Sequence, residues 1–158
     1  MEEKKLEKLL LKKGECPFCM IANKKAPAYV IKETEKSIAF LDLRQINWGH
    51  VIIIPKRHVE KLTDLTEDEI QDLFLLVKEI DQKIRKANLD DFLKKEVRTG
   101  TLILIREDNE RIIKHLAIHV IPRSTFDMVF IDWRPIYESM NPLDDAVLMK
   151  IKERLSVA

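Results

Sequence analysis

The sequence predicts an α+β fold, with a mainly antiparallel sheet of about five strands, one long helix, and short helices towards both ends of the chain. Three observations carry the prediction. Short β-branched and apolar runs stand before and after a single long stretch of helical period, without the strand–helix alternation that a parallel sheet demands. Polar turns separate neighbouring runs, as in hairpins. The length of 158 residues suits one domain, by the prior of roughly 100–200 residues each, and is enough to bury one sizeable core.

Leu6, Leu9 and Leu10 share one face at helical spacing and Gly14 stands just past them, so residues 2–13 read as a short leading helix. Residues 28–33 and 37–41, split by Thr34-Glu35-Lys36, read as a hairpin. Val51, Ile52, Ile53 and Ile54 form a continuous apolar run closed by Pro55, which predicts a central strand over 50–54 buried on both faces. Thr66 and Glu69 form a capping box. Behind it Ile70, Leu73, Phe74, Val77, Ile80 and Ile84 keep the helical period, so a long helix spans about 67–87. Strands at 101–105 and 112–121 flank the polar turn Glu107-Asp108-Asn109-Glu110 as a second hairpin. Residues 143–155, following Pro142, read as a closing helix, and the sheet edges are a candidate surface for pairing with a second copy.

Lysine and arginine number 28 against 27 aspartates and glutamates, a formal net charge of +1. That leaves no basic field to hold a nucleic-acid backbone, and small-ligand or protein partners fit better. The chain is 46% hydrophobic and 35% charged, too apolar for a disordered tail and too interrupted for a membrane span. Met1-Glu2-Glu3-Lys4-Lys5 leads into no apolar core and cleavage site of a signal peptide, so a cytoplasmic location is expected. Glycine occurs only 3 times, which leaves little for a glycine-rich phosphate loop.

The chemistry falls to 2 cysteines and 4 histidines. Strand periodicity puts His115, Ala117 and His119 on one face and Leu116, Ile118 and Val120 on the other. Taken alone, two such histidines are ordinary semi-polar surface residues. Cys16-Pro17-Phe18-Cys19 is a turn that can clip a zinc ion with two thiolates, given two further ligands from His50, His58, His115 or His119. An inert buried pair is the second reading. A redox dithiol is the third, and it lacks the strand–helix setting of thioredoxin-like motifs within residues 1–30.

Four blocks in order resemble the signature of the histidine triad (HIT) family: Cys16 to Ile21, Ala39-Phe40-Leu41-Asp42, Gly49 to Val59 with Pro55-Lys56-Arg57-His58, and His115 to Arg123. The likeness covers roughly residues 16–130. It implies an N-terminal helical extension (1–14), a HIT-like domain (15–132) and a C-terminal extension with a helix (133–158), and two protomers paired into one continuous sheet. By resemblance to zinc-bearing members, Cys16, Cys19, His58 and His115 are the ligands of a structural zinc, closed because a Cys₂His₂ set leaves no open position. The resemblance also makes a nucleotide or nucleoside phosphate the partner. Asp42 takes the place of the side chain that accepts from ribose hydroxyls, Phe40, Leu43 and Ile52 the walls of a base pocket, and His50 and His119 the histidines that flank phosphate.

The pattern breaks at one residue and one loop. Active members carry a histidine where this chain has Ala117, and that histidine attacks phosphorus; a methyl group has no lone pair. His119 lies two residues along the strand, ~6.6 Å away by strand rise, whereas reacting atoms must approach to ~3–3.5 Å. Residues 105–114, Ile105 to Lys114, contain no glycine and bring three carboxylates where the family places phosphate donors. A natural divergence accounts for both changes, since replacing one histidine would not rewrite a loop. The expected function is a catalytically impaired, nucleotide-binding HIT-like protein. Two alternatives stand beside it: a family hydrolase or transferase of phosphoramidates or dinucleoside polyphosphates in which Ala117 was introduced, and a dimeric scaffold.

Overall fold

The computed structural model describes residues 16–87, 98–105, 107 and 113–124. All of these fall in the first of the chain's two units, Met1–Met128. The helices expected at 2–13 and 143–155 lie outside the described residues, as does most of the turn at 107–110.

A short helix α1 (Pro17–Ala22) precedes strands β1 (Val30–Glu33), β2 (Ser37–Leu41) and β3 (Val51–Pro55), followed by helix α2 (Glu67–Lys86) and strands β4 (Arg98–Ile105) and β5 (Ile118–Ser124). The five strands form one sheet in the order β1-β2-β3-β5-β4, each neighbour antiparallel. The expected α+β class and five-stranded antiparallel sheet are observed, and among the described residues α2 is the one long helix. The hairpin at 28–41 and the pairing of the last two strands are also found.

Register follows from the apolar pattern. Ala39, Ile53 and Ile118 lie side by side across three strands and pack beneath Leu73, Leu76, Val77, Ile80 and Ile84 of α2. The alternate residues Ile38, Phe40, Ile52 and Ile54, with Ala117, face the other way and meet Phe18, Ile21 and Ala22 of α1. Strand β3 reads as an unbroken apolar run because a helix covers each of its faces, and all of Val51–Pro55 is buried. Helix α2 begins where its capping box sits: Thr66 Oγ1 accepts from the Glu69 N–H at 3.3 Å and Glu69 Oε2 accepts from the Thr66 N–H at 2.9 Å. Acidic residues in its first turn and basic ones in its last complement the helix dipole.

Two expectations need correction. The Cys-x-x-Cys segment is not a turn but the N-cap (Cys16) and first turn of α1, with Pro17 at the first helical position, where a missing N–H costs nothing. The strand expected at 112–121 joins the ladder only from Ile118 and runs on to Ser124. Before that, the Leu116 N–H leaves the sheet for the Val59 carbonyl at 2.7 Å, and the His115 N–H bonds locally to Ile113 at 3.0 Å. Pro55 explains the break, since it has no N–H to continue pairing. Its free carbonyl is taken by a side chain described below. Among the described residues, no helix is long and apolar enough to cross a membrane.

Candidate functional site

Two clusters of titratable side chains stand on the sheet. The first joins Cys16, Cys19, His58 and His115, one donor atom from each lying within 4.8 Å of the others. Sγ of Cys16 is 3.4 Å and Sγ of Cys19 3.5 Å from Nδ1 of His115, and Cys19 Sγ is 3.2 Å from Nδ1 of His58. A tetrahedral zinc with sulfur at ~2.3 Å and nitrogen at ~2.0 Å has sulfur–nitrogen edges of about 3.5 Å. The spacing therefore fits one tetrahedral ion.

The electronic state fits too. His115 Nε2 donates to the Pro55 carbonyl at 2.9 Å, which fixes the tautomer and leaves Nδ1 with its lone pair facing the sulfurs. Burial pushes the His115 imidazolium down to about 4, so the ring is neutral at physiological pH. Burial, then the neighbouring Cys16 sulfur, pushes the Cys19 thiol up to about 11, so a bound cation is what would favour its thiolate. Helix α1 places both sulfurs on its first turn, and its packing through Phe18 against Phe40 and His115 sets the approach.

The second cluster is Asp42, His50 and His119, again with one donor atom each within 4.8 Å. These three line a cavity of ≈ 190 Å³ together with Arg44, Ile46, Leu104 and Ile121. That is smaller than the ~300–1,000 Å³ typical of whole-ligand pockets and suits part of a ligand. Sheet register puts His119 beside Ile52 on one side and Leu104 on the other, on the face opposite α2. His50 lies at the entry to β3, with Nε2 2.9 Å from Nδ1 of His119 and Nδ1 3.6 Å from Asp42 Oδ2. Burial is the main reason its pKa falls to about 4, with His119 adding to the effect and Asp42 opposing it. At neutral pH His50 therefore offers a neutral imidazole, not the positive charge that would grip an anion most strongly.

The loop between β2 and β3 is held by Asp42 and by two side chains that the sequence did not single out, Gln45 and Asn47. Asp42 Oδ1 accepts from the Arg44 N–H at 2.8 Å, an Asx turn. Gln45 Oε1 accepts from the N–H groups of Gly49 and His50 at 2.7 and 3.0 Å, and its amide donates to the Asp42 carbonyl at 2.6 Å. Gly49 has φ of 94°, a conformation that a side chain would strain, and it lets the chain turn sharply into β3. Asn47 Nδ2 ties the loop to the Pro122 carbonyl of β5 at 2.8 Å.

Of the residues expected to meet a nucleotide, Asp42, His50 and His119 come together around the cavity. Phe40 and Ile52 are on the same sheet face but buried in the second core cluster, outside the cavity lining. Leu43 is 45% exposed and also outside it. Ala117 is buried among Ile38, Phe40, Ile52 and Ile54, so its position is apolar as well as non-nucleophilic. Arg44, Ile46, Leu104 and Ile121 complete the lining. Leu104 is legible only from strand register, and Arg44 only from the turn that Asp42 makes.

The fold and first cluster define a class of α+β proteins in which a cysteine–histidine set joins an N-terminal helix to an antiparallel sheet. The chain belongs to the HIT family: the HIT domain matches residues 23–126. It is 28% identical over 146 residues to an adenosine 5'-monophosphoramidase of Schizosaccharomyces pombe, covering 87% of this chain and 98% of the relative. It is 35% identical over 98 residues to the asymmetrical bis(5'-nucleosyl)-tetraphosphatase of the same organism, covering 62% of this chain and 50% of the relative. Among solved structures, a zinc-bound histidine triad family protein from Mycobacterium smegmatis superposes with a TM-score of 0.64 at 28% identity, covering 74% of this chain and 81% of the other.

Proposed function

We propose that this protein binds a nucleotide or nucleoside phosphate at the Asp42, His50 and His119 cavity, carries a structural zinc at Cys16, Cys19, His58 and His115, and lacks the family's nucleophilic catalysis. The observation that carries the reading is Ala117, an apolar methyl group packed in the core cluster at the position where catalysis needs an imidazole lone pair. The named activities of the two yeast relatives, on a monophosphoramidate and on a dinucleoside tetraphosphate, support a nucleotide as the ligand class. The sulfur–nitrogen spacing and the oriented His115 support zinc.

In this reading Asp42 accepts from ribose hydroxyls and His119 donates to a phosphate oxygen. The base lies towards Phe40, Leu43 and Ile52. The zinc, when bound, holds α1 against the sheet and supplies no reaction step. Calorimetric titration with adenosine and guanosine monophosphates tests the binding. Saturable heat that is lost in His119→Ala is expected, and no binding of any nucleotide tried overturns the reading in favour of a scaffold.

A further inference from the structure

We infer that Cys16 and Cys19 form a reversible dithiol–disulfide pair, and that its oxidation expels the zinc and releases helix α1 from the sheet. Cys16 is the N-cap of α1, with extended backbone at φ −63° and ψ 120°, and Cys19 stands three residues on in the first turn. Positions three apart on a helical turn have Cα atoms about 5 Å apart, within the ~4.4–6.8 Å that a disulfide bridges. The two sulfurs already lie within 4.8 Å of one another, and both face Nδ1 of His115. The bond therefore closes by side-chain rotation, without unwinding the helix. Both cysteines are free and half-buried, and His58 beside them is exposed, so a small oxidant reaches the sulfurs.

Resting on the structural zinc proposed above, the switch works by loss of donors. A disulfide removes two of the four, and the remaining His58 and His115 are too few for a closed tetrahedral site. The oxidant is a low-molecular-weight disulfide such as oxidised glutathione. One cysteine sulfur attacks it and releases a glutathione thiolate; the second cysteine attacks the mixed disulfide and releases the other. The S–S bond of glutathione breaks, the Cys16–Cys19 bond forms, and two electrons pass from protein to oxidant, whose released thiolates take their protons from solvent. His115 keeps its bond to the Pro55 carbonyl, and α1 then rests on the apolar contacts of Phe18, Ile21 and Ala22. Phe18 packs edge-on against Phe40, so loosening α1 reaches the sheet face towards which the base is placed.

Full-length protein is equilibrated in glutathione buffers of graded potential at several fixed free-zinc concentrations, and the Cys16–Cys19 disulfide is followed by mass spectrometry after thiol alkylation. The disulfide and the zinc compete for the same two sulfurs, so the midpoint should rise by about 30 mV for each tenfold increase in free zinc once the site is saturated. A colorimetric zinc indicator should report one ion released per disulfide formed, and reduction should restore its binding. His58→Ala keeps both sulfurs and alters an exposed side chain. At the same free zinc its midpoint should fall by about 30 mV for each tenfold loss of zinc affinity. A midpoint indifferent to zinc, sulfinic acid in place of the disulfide, or a disulfide joining two chains overturns the switch. Equilibrium dialysis of reduced protein against zinc is run first: zinc bound with a flat midpoint counts against the switch alone, and no zinc bound counts against the structural zinc as well.

Discussion

His115 shows how much one buried side chain can settle. Its Nε2 is spent on the Pro55 carbonyl, so Nδ1 is left to face Cys16 and Cys19, and the ring cannot serve as a phosphate ligand at the same time. The sequence made the two cysteines visible through type and spacing, and His58 and His115 were picked out of four histidines only by the family resemblance. It could not make the tautomer visible, because that depends on a carbonyl freed by a proline on another strand. The same limit hid Gln45, an uncharged loop residue whose role is to hold the backbone of Gly49 and His50. Purified protein should carry one zinc at Cys16, Cys19, His58 and His115, and a strong chelator should lower its melting temperature. Cys19→Ser should lower the melting temperature of untreated protein and lose the zinc. A chelated sample that melts unchanged would contradict a structural metal.

At the scale of elements, α2 was legible almost to the residue because cap, period and charge pattern agree. Thr66→Ala should destabilise the fold by about 1 kcal/mol in urea unfolding, the usual cost of a lost N-cap. Arg57 bonds both oxygens of Glu69, at 2.7 Å each. That ion pair, followed by the Thr66 N–H, lowers the Glu69 carboxyl from 4.5 to about 2. A carboxylate lowered in the fold contributes fully above its unfolded pKa and loses that contribution as pH falls towards the folded one. Glu69→Gln should therefore cost stability at neutral pH, and the difference from wild type should shrink between about pH 5 and about pH 2 in the same unfolding experiment. The shorter elements were less legible. Helix α1 is six residues long, too brief for a helical period to show in the sequence. The start of β5 is not legible in the sequence because alternation continues through 115–117 while the hydrogen bonds go elsewhere.

For the whole molecule, the fold class was legible because a single long helix between strand-rich stretches admits few arrangements, and β3 announced its central place by its unbroken apolar run. The cavity was less so, because it is assembled from β4, β5 and the loop between β2 and β3, and only register brings Leu104 beside His119. Among the described residues the sheet ends in two edges, β1 and β4. Strand β1 is short, with a register break after Val30, whereas β4 spans eight residues and carries Ile103, 47% exposed, on the same sheet face as α2. We propose β4 as the edge that pairs two protomers. Ile103→Lys should shift the protein from dimer to monomer in sedimentation, and a wild-type monomer at micromolar concentration would contradict that pairing.

Release of nucleoside monophosphate from an adenosine phosphoramidate by the unmodified protein tests the loss of nucleophilic catalysis most directly. With Ala117 in the nucleophile's place, turnover should not rise above background. Turnover clearly above background, and abolished by changing His119, would contradict the account.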